Sequence, residues 1–319
     1  MRLGLLSTAH INEKLVAGAS QVGEVDVVAV ASRDLGRAES QAARLAIPGA
    51  HGSYEALLEE PEVDAVYVSL PNSLHVEWSI RALEAGKHVL CEKPMARSPD
   101  QVERAFDAAE GAGKVLTEGF MWRHHPQAKR LAELLPRVGR LRLVRASFSF
   151  PLGRAEDVRL SSQLEGGGLM DVGCYCVSGA RLVAGEPVEA MGREVASGDG
   201  VDVRFAGGLR FSGDVLGHFD CGLDMAARGE LEVVGSEGSL FLDDPWHSRE
   251  PVIEVRSADG SRERVEAERA DPYACELRDF AAAVAGERRP LLGRADALGQ
   301  ARTIAALYES AARGEVVAV

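Results

Sequence analysis

The chain has 319 residues, 46% of them hydrophobic and 27% charged, and a formal net charge of −13. That is material for two ordinary cores and argues against wholesale disorder. The acidic excess is spread along the chain and repels polyanions, so nucleic acid and anionic membrane surfaces are excluded as expected partners.

No apolar run approaches the roughly 20 residues that span a bilayer. The N-terminus opens directly on a strand-like run, Arg2–Leu6, without the basic region, apolar stretch and cleavage site of a signal peptide. Five cysteines, an odd number, include one close pair, Cys174 and Cys176, spaced C-x-C. Reduced thiols and a cytoplasmic location are the expectation.

Apolar runs and helical patterns alternate over the first 120 residues. Strands are expected at Arg2–Leu6, Val25–Ala31, Val63–Leu70, His88–Cys91 and Val115–Thr117. Helices are expected near Ile11–Gln21, Leu35–Leu45, Leu74–Ala85 and Pro99–Ala112. Continuous apolar strands alternating with amphipathic helices predict an α/β, doubly wound parallel sheet of the Rossmann type. Beyond residue 120 come β-prone segments separated by Gly, Asp and Ser turns: Leu141–Phe150, Val201–Phe205, Leu209–Asp220, Glu230–Val234 and Val252–Arg256. With helices near Gly168–Ala184, Tyr273–Ala285 and Arg294–Ala312, they predict a C-terminal α+β domain built on a large, mostly antiparallel, open-faced sheet. The domains are therefore expected at residues 1–120 and 121–319.

Ligands of an open parallel sheet sit outside the carboxyl ends of its strands. Ser7, Thr8 and Ala9 follow the first strand and lead through His10 into a helix at Ile11. Small residues there let backbone N–H groups approach a pyrophosphate, although the turn departs from G-x-G-x-x-G. After the second strand, where an NAD enzyme usually has a carboxylate, stand Ser32 and Arg33. A hydroxyl and a guanidinium suit a 2′-phosphate, with Arg37 adding charge, so NADP is the expected cofactor and NAD the lesser one. Leu70, Pro71 and Asn72 follow the third strand, with His75 one turn on. Glu92, Lys93 and Pro94 follow the fourth, and Glu118, Trp122 and Arg123 the fifth. His75, Glu92, Trp122 and Arg123 are candidate cofactor contacts. His124-His125 does not predict a metal site, because adjacent helical residues do not share a face.

With Cys91-Glu92-Lys93-Pro94 the chain resembles the glucose–fructose oxidoreductase and inositol dehydrogenase family. The likeness rests on G-L-L-S-T-A-H-I, P-N-S-L-H, A-G-K-H-V-L-C-E-K-P, F-M-W-R-H-H-P and G-G-G-L-M-D-V-G-C-Y, and it covers nearly the whole length. The S-T-A turn and D-V-G-C-Y look most like the branch with dimeric dihydrodiol dehydrogenase and NADP-linked xylose dehydrogenase. The resemblance implies that Lys93, on a cis Lys93–Pro94 peptide, reaches toward substrate and nicotinamide. It also implies an Asp and either His or Tyr at the places held here by Asp171 and Tyr175, which a helix puts on one face.

The expected activity is hydride transfer between NADP and a CH–OH group of a sugar, cyclic polyol or related diol. Tyr175 takes the hydroxyl proton, Lys93 favours its phenolate (a free tyrosine titrates at about 10), and Asp171 orients both. Whether Lys93 or Tyr175 is the formal base stays open. The alternatives are an NAD-retaining glycosidase of the same fold and a dinucleotide-binding regulator without turnover. Arg154, Arg159 and Trp246 are candidate substrate contacts in loops near Phe150–Gln163 and Asp243–Glu250. A homodimer or homotetramer through the C-terminal sheet is expected, because family members pair through that face.

Overall fold

The computed structural model describes residues 1–153 and 157–319; Arg154 lies outside the described residues. The chain forms two units, Met1–His124 with Asp271–Leu298, and His125–Ala270 with Gly299–Val319. This differs from a single cut after residue 120. The sequence treats Asp271–Leu298 as one more piece of the second half, and nothing in its helical periodicity marks it as returning to the first.

The first unit is built on β1 (Arg2–Leu6), β2 (Asp26–Ala31), β3 (Gly49–His51), β4 (Ala65–Val68), β5 (His88–Glu92) and β6 (Leu116–Gly119). They form one parallel sheet in the order β3-β2-β1-β4-β5-β6. Strand order reverses between β1 and β4, so the ligand crevice of such a sheet lies at the carboxyl ends of these two strands. The apolar runs of β1 and β4 are buried almost throughout, as a sheet covered on both faces requires. The covering helices are α1 (Ile11–Ala19), α2 (Leu35–Leu45), α3 (Tyr54–Leu58), α4 (His75–Glu84), α5 (Pro99–Ala112) and α6 (Met121–His124). A helix from late in the chain, Pro272–Val284, packs on α1 and α6. Both β3 and α3 are absent from the expected elements. Three and five residues are too short to carry a periodic signal, but Ser53 marks the start of α3 by accepting the Ala56 N–H at 3.1 Å.

The second unit begins with α7 (Pro126–Leu134) and β7 (Leu141–Ser149). A π-helix at Leu169–Gly173 then runs directly into α8 (Cys174–Ala184). There follow β8 (Pro187–Ala196), β9 (Asp202–Phe211), β10 (Val215–Gly222), β11 (Arg228–Gly235), β12 (Gly238–Asp243), β13 (Val252–Ser257) and β14 (Arg262–Glu266). The first unit's Pro272–Val284 is α9; α10 (Arg294–Arg313) and β15 (Val317–Ala318) close the chain. The nine-stranded sheet has the order β14-β13-β12-β11-β7-β10-β9-β8-β15 and is antiparallel except where β7 runs parallel to β10. The Leu209–Asp220 run, expected as one segment, is instead the end of β9 and most of β10. Gly213 and Asp214, both at positive φ, turn the chain between them. One face of the sheet is buried and carries α8, while Met191, Val195 and Leu216 are exposed at alternating positions of the other.

Candidate active site

At the switch point the chain leaves β1 through Ser7, whose φ of 122° is a conformation that normally favours glycine. Ser7 holds it through its side chain, donating to the Ser69 carbonyl at 2.8 Å and accepting the Ala9 N–H at 3.1 Å. Buried Asn12 completes the turn. Its amide donates to the Ser7 carbonyl and to Gln41, both at 2.8 Å, and its oxygen accepts from the Ser69 hydroxyl at 2.8 Å. Ser7, Ala9 and Asn12 thus have the spacing of the three glycines of G-x-G-x-x-G, with side-chain hydrogen bonds replacing glycine's freedom. Sequence reading missed Asn12; its spacing from Ser7 is the signal. The helix that follows, α1, has exposed His10 at its N-cap with no side-chain cap. An N-terminus left in that state favours an anion, and Thr8, His10 and Ile11 border it.

Ser32 follows β2 and is buried, whereas Arg33 and Arg37 are exposed. The carboxylate in this stretch, Asp34, caps α2 by accepting the Arg37 N–H at 3.2 Å. It is therefore committed to the backbone rather than to a ribose. Tyr54 of α3 has its phenol beside the Arg33 guanidinium. The edge after β2 thus offers a hydroxyl and two cations and fits a phosphate-bearing ribose.

The Glu92–Met95 segment after β5 is tied down at three points. Glu92 accepts the Lys93 N–H at 3.1 Å, the Pro94 carbonyl lies 2.9 Å from His75 Nδ1, and Glu118 accepts the Met95 N–H at 2.6 Å. The Lys93–Pro94 peptide is cis, as the motif implied. His75 is buried, and its Nε2 faces the Leu70 carbonyl at 2.7 Å. Burial pushes it down to about 4, so the ring is neutral and donates to only one of its two carbonyls. With both nitrogens turned to the backbone, His75 braces Leu70 against Pro94; it has none left for the cofactor contact expected of it. Trp122 is also a core side chain, 1% exposed. Arg123 is paired with Asp296 at 3.4 Å. Pro71 and Asn72 are half-buried at the end of β4.

In the second unit, Asp171 lies in the π-helix and Tyr175 in the first turn of α8. Sequence periodicity predicted a plain helix here; the π turn is a local departure often found at functional positions. Asp171 Oδ2 accepts from Arg159 Nε at 2.7 Å, and Arg159 also pairs with Asp157 at 3.2 Å. Arg159, expected as a substrate contact, thus binds the candidate catalytic carboxylate. The Tyr175 ring packs against Phe148 and Trp246, with centroids 5.3 and 6.0 Å away. Trp246 is fully buried, donates from Nε1 to the Ser147 carbonyl at 2.9 Å, and sits over Gly179, where a Cβ would lie 2.8 Å from the indole. It is a core buttress of Tyr175 and not the expected substrate contact.

One group near Glu92 was not foreseen. Glu276 of α9 is buried, and neither carboxyl oxygen has a hydrogen-bond partner among the described residues. Its Oε1 lies beside Gly119, and Glu92 is also close. Tyr67, whose hydroxyl donates to Glu92, and Tyr273 complete the cluster. Burial first, then the charges of Glu92 and Asp279, pushes Glu276 well above the carboxylate range and favours its protonated form. Because the unfolded value is about 4.3, the unfolded chain releases that proton first as pH rises. The stability Glu276 contributes below that pH is lost as pH climbs toward its folded pKa. Glu276→Gln removes this loss. The variant's denaturant midpoint, relative to wild type, should rise between pH 4.5 and 8; a constant difference would mean that Glu276 is ionised in the fold.

A model of the oxidoreductase family with an NAD-binding Rossmann fold matches residues 3–120, and the model of that family's C-terminal domain matches residues 130–241. The chain belongs to the Gfo/Idh/MocA oxidoreductase family. This is the family that the E-K-P and G-G-G motifs predicted. Among its relatives, the D-xylose 1-dehydrogenase (NADP(+)) 2 of Haloferax volcanii is 40% identical, with 99% of each chain covered. The trans-1,2-dihydrobenzene-1,2-diol dehydrogenase of Mus musculus is 34% identical over 79% of this chain and 77% of its own. A crystal structure of a 3-ketoreductase from Actinomadura kijaniata with NADP and TDP-benzene superposes with a TM-score of 0.90, at 33% identity and 97% coverage of both chains. Among the described residues no helix is long and apolar enough to cross a membrane, and no group of three or more His, Cys, Asp or Glu side chains is placed to hold a metal ion.

Proposed function

We propose that this Gfo/Idh/MocA protein transfers a hydride between NADP and a CH–OH group of a sugar or related diol. The observation that carries the cofactor choice is the edge after β2, where Ser32, Arg33 and Arg37 stand and Asp34 is spent on capping α2. The pyrophosphate belongs at the Ser7–Ile11 turn and the 2′-phosphate at Ser32, Arg33 and Arg37. Leu70, Pro71, Asn72 and Glu92 border the same end of the sheet. NADP, when bound, supplies a nicotinamide ring that accepts or returns the hydride. The names of the Haloferax, mouse and Actinomadura relatives support both halves of the reading.

Lys93, Asp171 and Tyr175 are assigned to one proton transfer. Tyr175 takes the hydroxyl proton of the substrate as its carbon gives up hydride. Lys93 supplies the positive charge that favours the phenolate. Asp171 orients the tyrosine and the substrate while fixed by Arg159. An aldose such as D-xylose is the proposed substrate. The protein is placed in the cytoplasm, and the exposed apolar positions Met191, Val195 and Leu216 support pairing of copies through the nine-stranded sheet.

Cofactor choice is read from initial rates at 340 nm with D-xylose. NADP should give the higher kcat/KM. Arg33→Ala should raise the KM for NADP by about tenfold or more, the scale of one lost charge-assisted contact, and leave the KM for NAD nearly unchanged. Equal or better kcat/KM with NAD in the wild type would overturn the assignment.

A further inference from the structure

The Gly166-Gly167-Gly168 turn that leads into the π-helix is gripped by a carboxylate with no part in the proton transfer above. Asp202, the first residue of β9, is buried. Its Oδ2 accepts the N–H of Leu169, the first residue of the π-helix, at 2.7 Å, and its Oδ1 accepts the Tyr308 hydroxyl from α10 at 2.8 Å. A helix leaves its first N–H groups without internal partners; here a buried carboxylate meets one of them. Gly167, at φ 128°, makes room: a Cβ there would lie 2.1 Å from Asp202 Oδ1. Gly167 in turn donates its N–H to the Arg159 carbonyl and accepts the N–H of Asp171, both at 2.9 Å. One chain of hydrogen bonds therefore runs from Tyr308 through Asp202 to the turn that fixes Asp171 and its partner Arg159.

We propose that ionised Asp202 is a positioning residue for Asp171 and Tyr175, clamping the start of the π-helix, and that protonating Asp202 in acid loosens the clamp and slows turnover. The inference rests on the assignment of Asp171 and Tyr175 to the proton transfer. Burial pushes Asp202 up to about 6 despite the two donors that favour its charged form, and Glu194 of β8 adds to the rise. Among the described residues, the other titratable groups facing it are Tyr308 of α10 and Cys221 of β10, whose buried thiol is held neutral. A protonated carboxyl turns one oxygen into a donor, so Tyr308 must turn to accept and the Leu169 N–H is left with a neutral, weaker acceptor.

The test compares kcat from pH 5 to 8 with NADP and D-xylose for wild type, Asp202→Asn, Tyr308→Phe and Tyr175→Phe. It adds amide hydrogen exchange at Leu169 and Asp171, corrected for intrinsic rates. Wild type should lose turnover, and Leu169 its protection, below about pH 6. Asp202→Asn replaces the charged acceptor of the Leu169 N–H by a neutral amide, so kcat should fall about tenfold or more, with the KM for NADP unchanged and the acid limb gone. Tyr308→Phe removes one donor to the carboxylate. Its acid limb should move above that of the wild type, a shift that simple loss of stability would not give and that remains readable if Asp202→Asn folds poorly. Wild-type kcat and an unmoved limb in either variant, beside an inactive Tyr175→Phe, would overturn the clamp alone. Full activity in Tyr175→Phe would overturn the assignment on which it rests.

Discussion

Lys93→Met is expected to lower kcat for NADP-linked oxidation of D-xylose by a factor on the order of 10²–10⁴, the range for a group that controls proton transfer. Methionine keeps the length and apolar stem of lysine and removes only the charge and its donors. The effect should fall on kcat more than on the KM for NADP, because the residues assigned to the phosphates lie after β1 and β2. The fold should survive. Glu92, His75 and Glu118 hold the Lys93–Met95 backbone through its N–H and carbonyl groups, and none of these three ties uses the lysine side chain. Wild-type turnover in this variant would remove Lys93 from the proton transfer.

Tyr175→Phe should cost a similar factor, on the order of 10²–10⁴ in kcat, through the loss of one oxygen. The ring itself stays supported, since phenylalanine keeps the packing against Phe148 and Trp246, whose ring centroids lie 5.3 and 6.0 Å away. Thermal stability should therefore remain close to wild type while activity collapses. If Lys93 acts by favouring the phenolate, the two losses belong to one step. The double variant should then be little worse than either single variant, because groups that act as a unit are not additive. Losses that multiply would separate the two residues into independent roles.

Much of this was legible before the structure, for identifiable reasons. The strands after which Ser7, Ser32, Asn72 and Lys93 stand are continuous apolar runs, and a parallel sheet covered on both faces leaves that pattern. The catalytic candidates were readable because E-K-P and D-V-G-C-Y are unusual strings. What escaped was whatever depends on contacts distant in sequence. Trp246 stands among Asp, Pro, His and Ser and reads as a loop residue; its burial is decided by Phe148 on β7 and Gly179 on α8. Arg159 looked free to meet a substrate because its partner, Asp171, stands 12 residues further on, in the π-helix. Asp202 is one acid at the start of a β-prone run, and only the fold brings Tyr308 to it from 106 residues away. Glu276 did leave a trace. Tyr273, Glu276, Leu277 and Phe280 have the i, i+3, i+4, i+7 spacing of an apolar helical stripe, and a glutamate in that stripe signals a buried carboxyl.

NADP is proposed to take hydride from the carbinol carbon of a sugar under the control of Lys93 and Tyr175. The most direct measurement is the initial rate of absorbance increase at 340 nm with NADP and D-xylose, for wild type and the two single variants at equal concentration. Wild type should form NADPH steadily, and each variant should be slower by a factor on the order of 10²–10⁴. No NADPH formation by wild type, or undiminished formation by both variants, would contradict it.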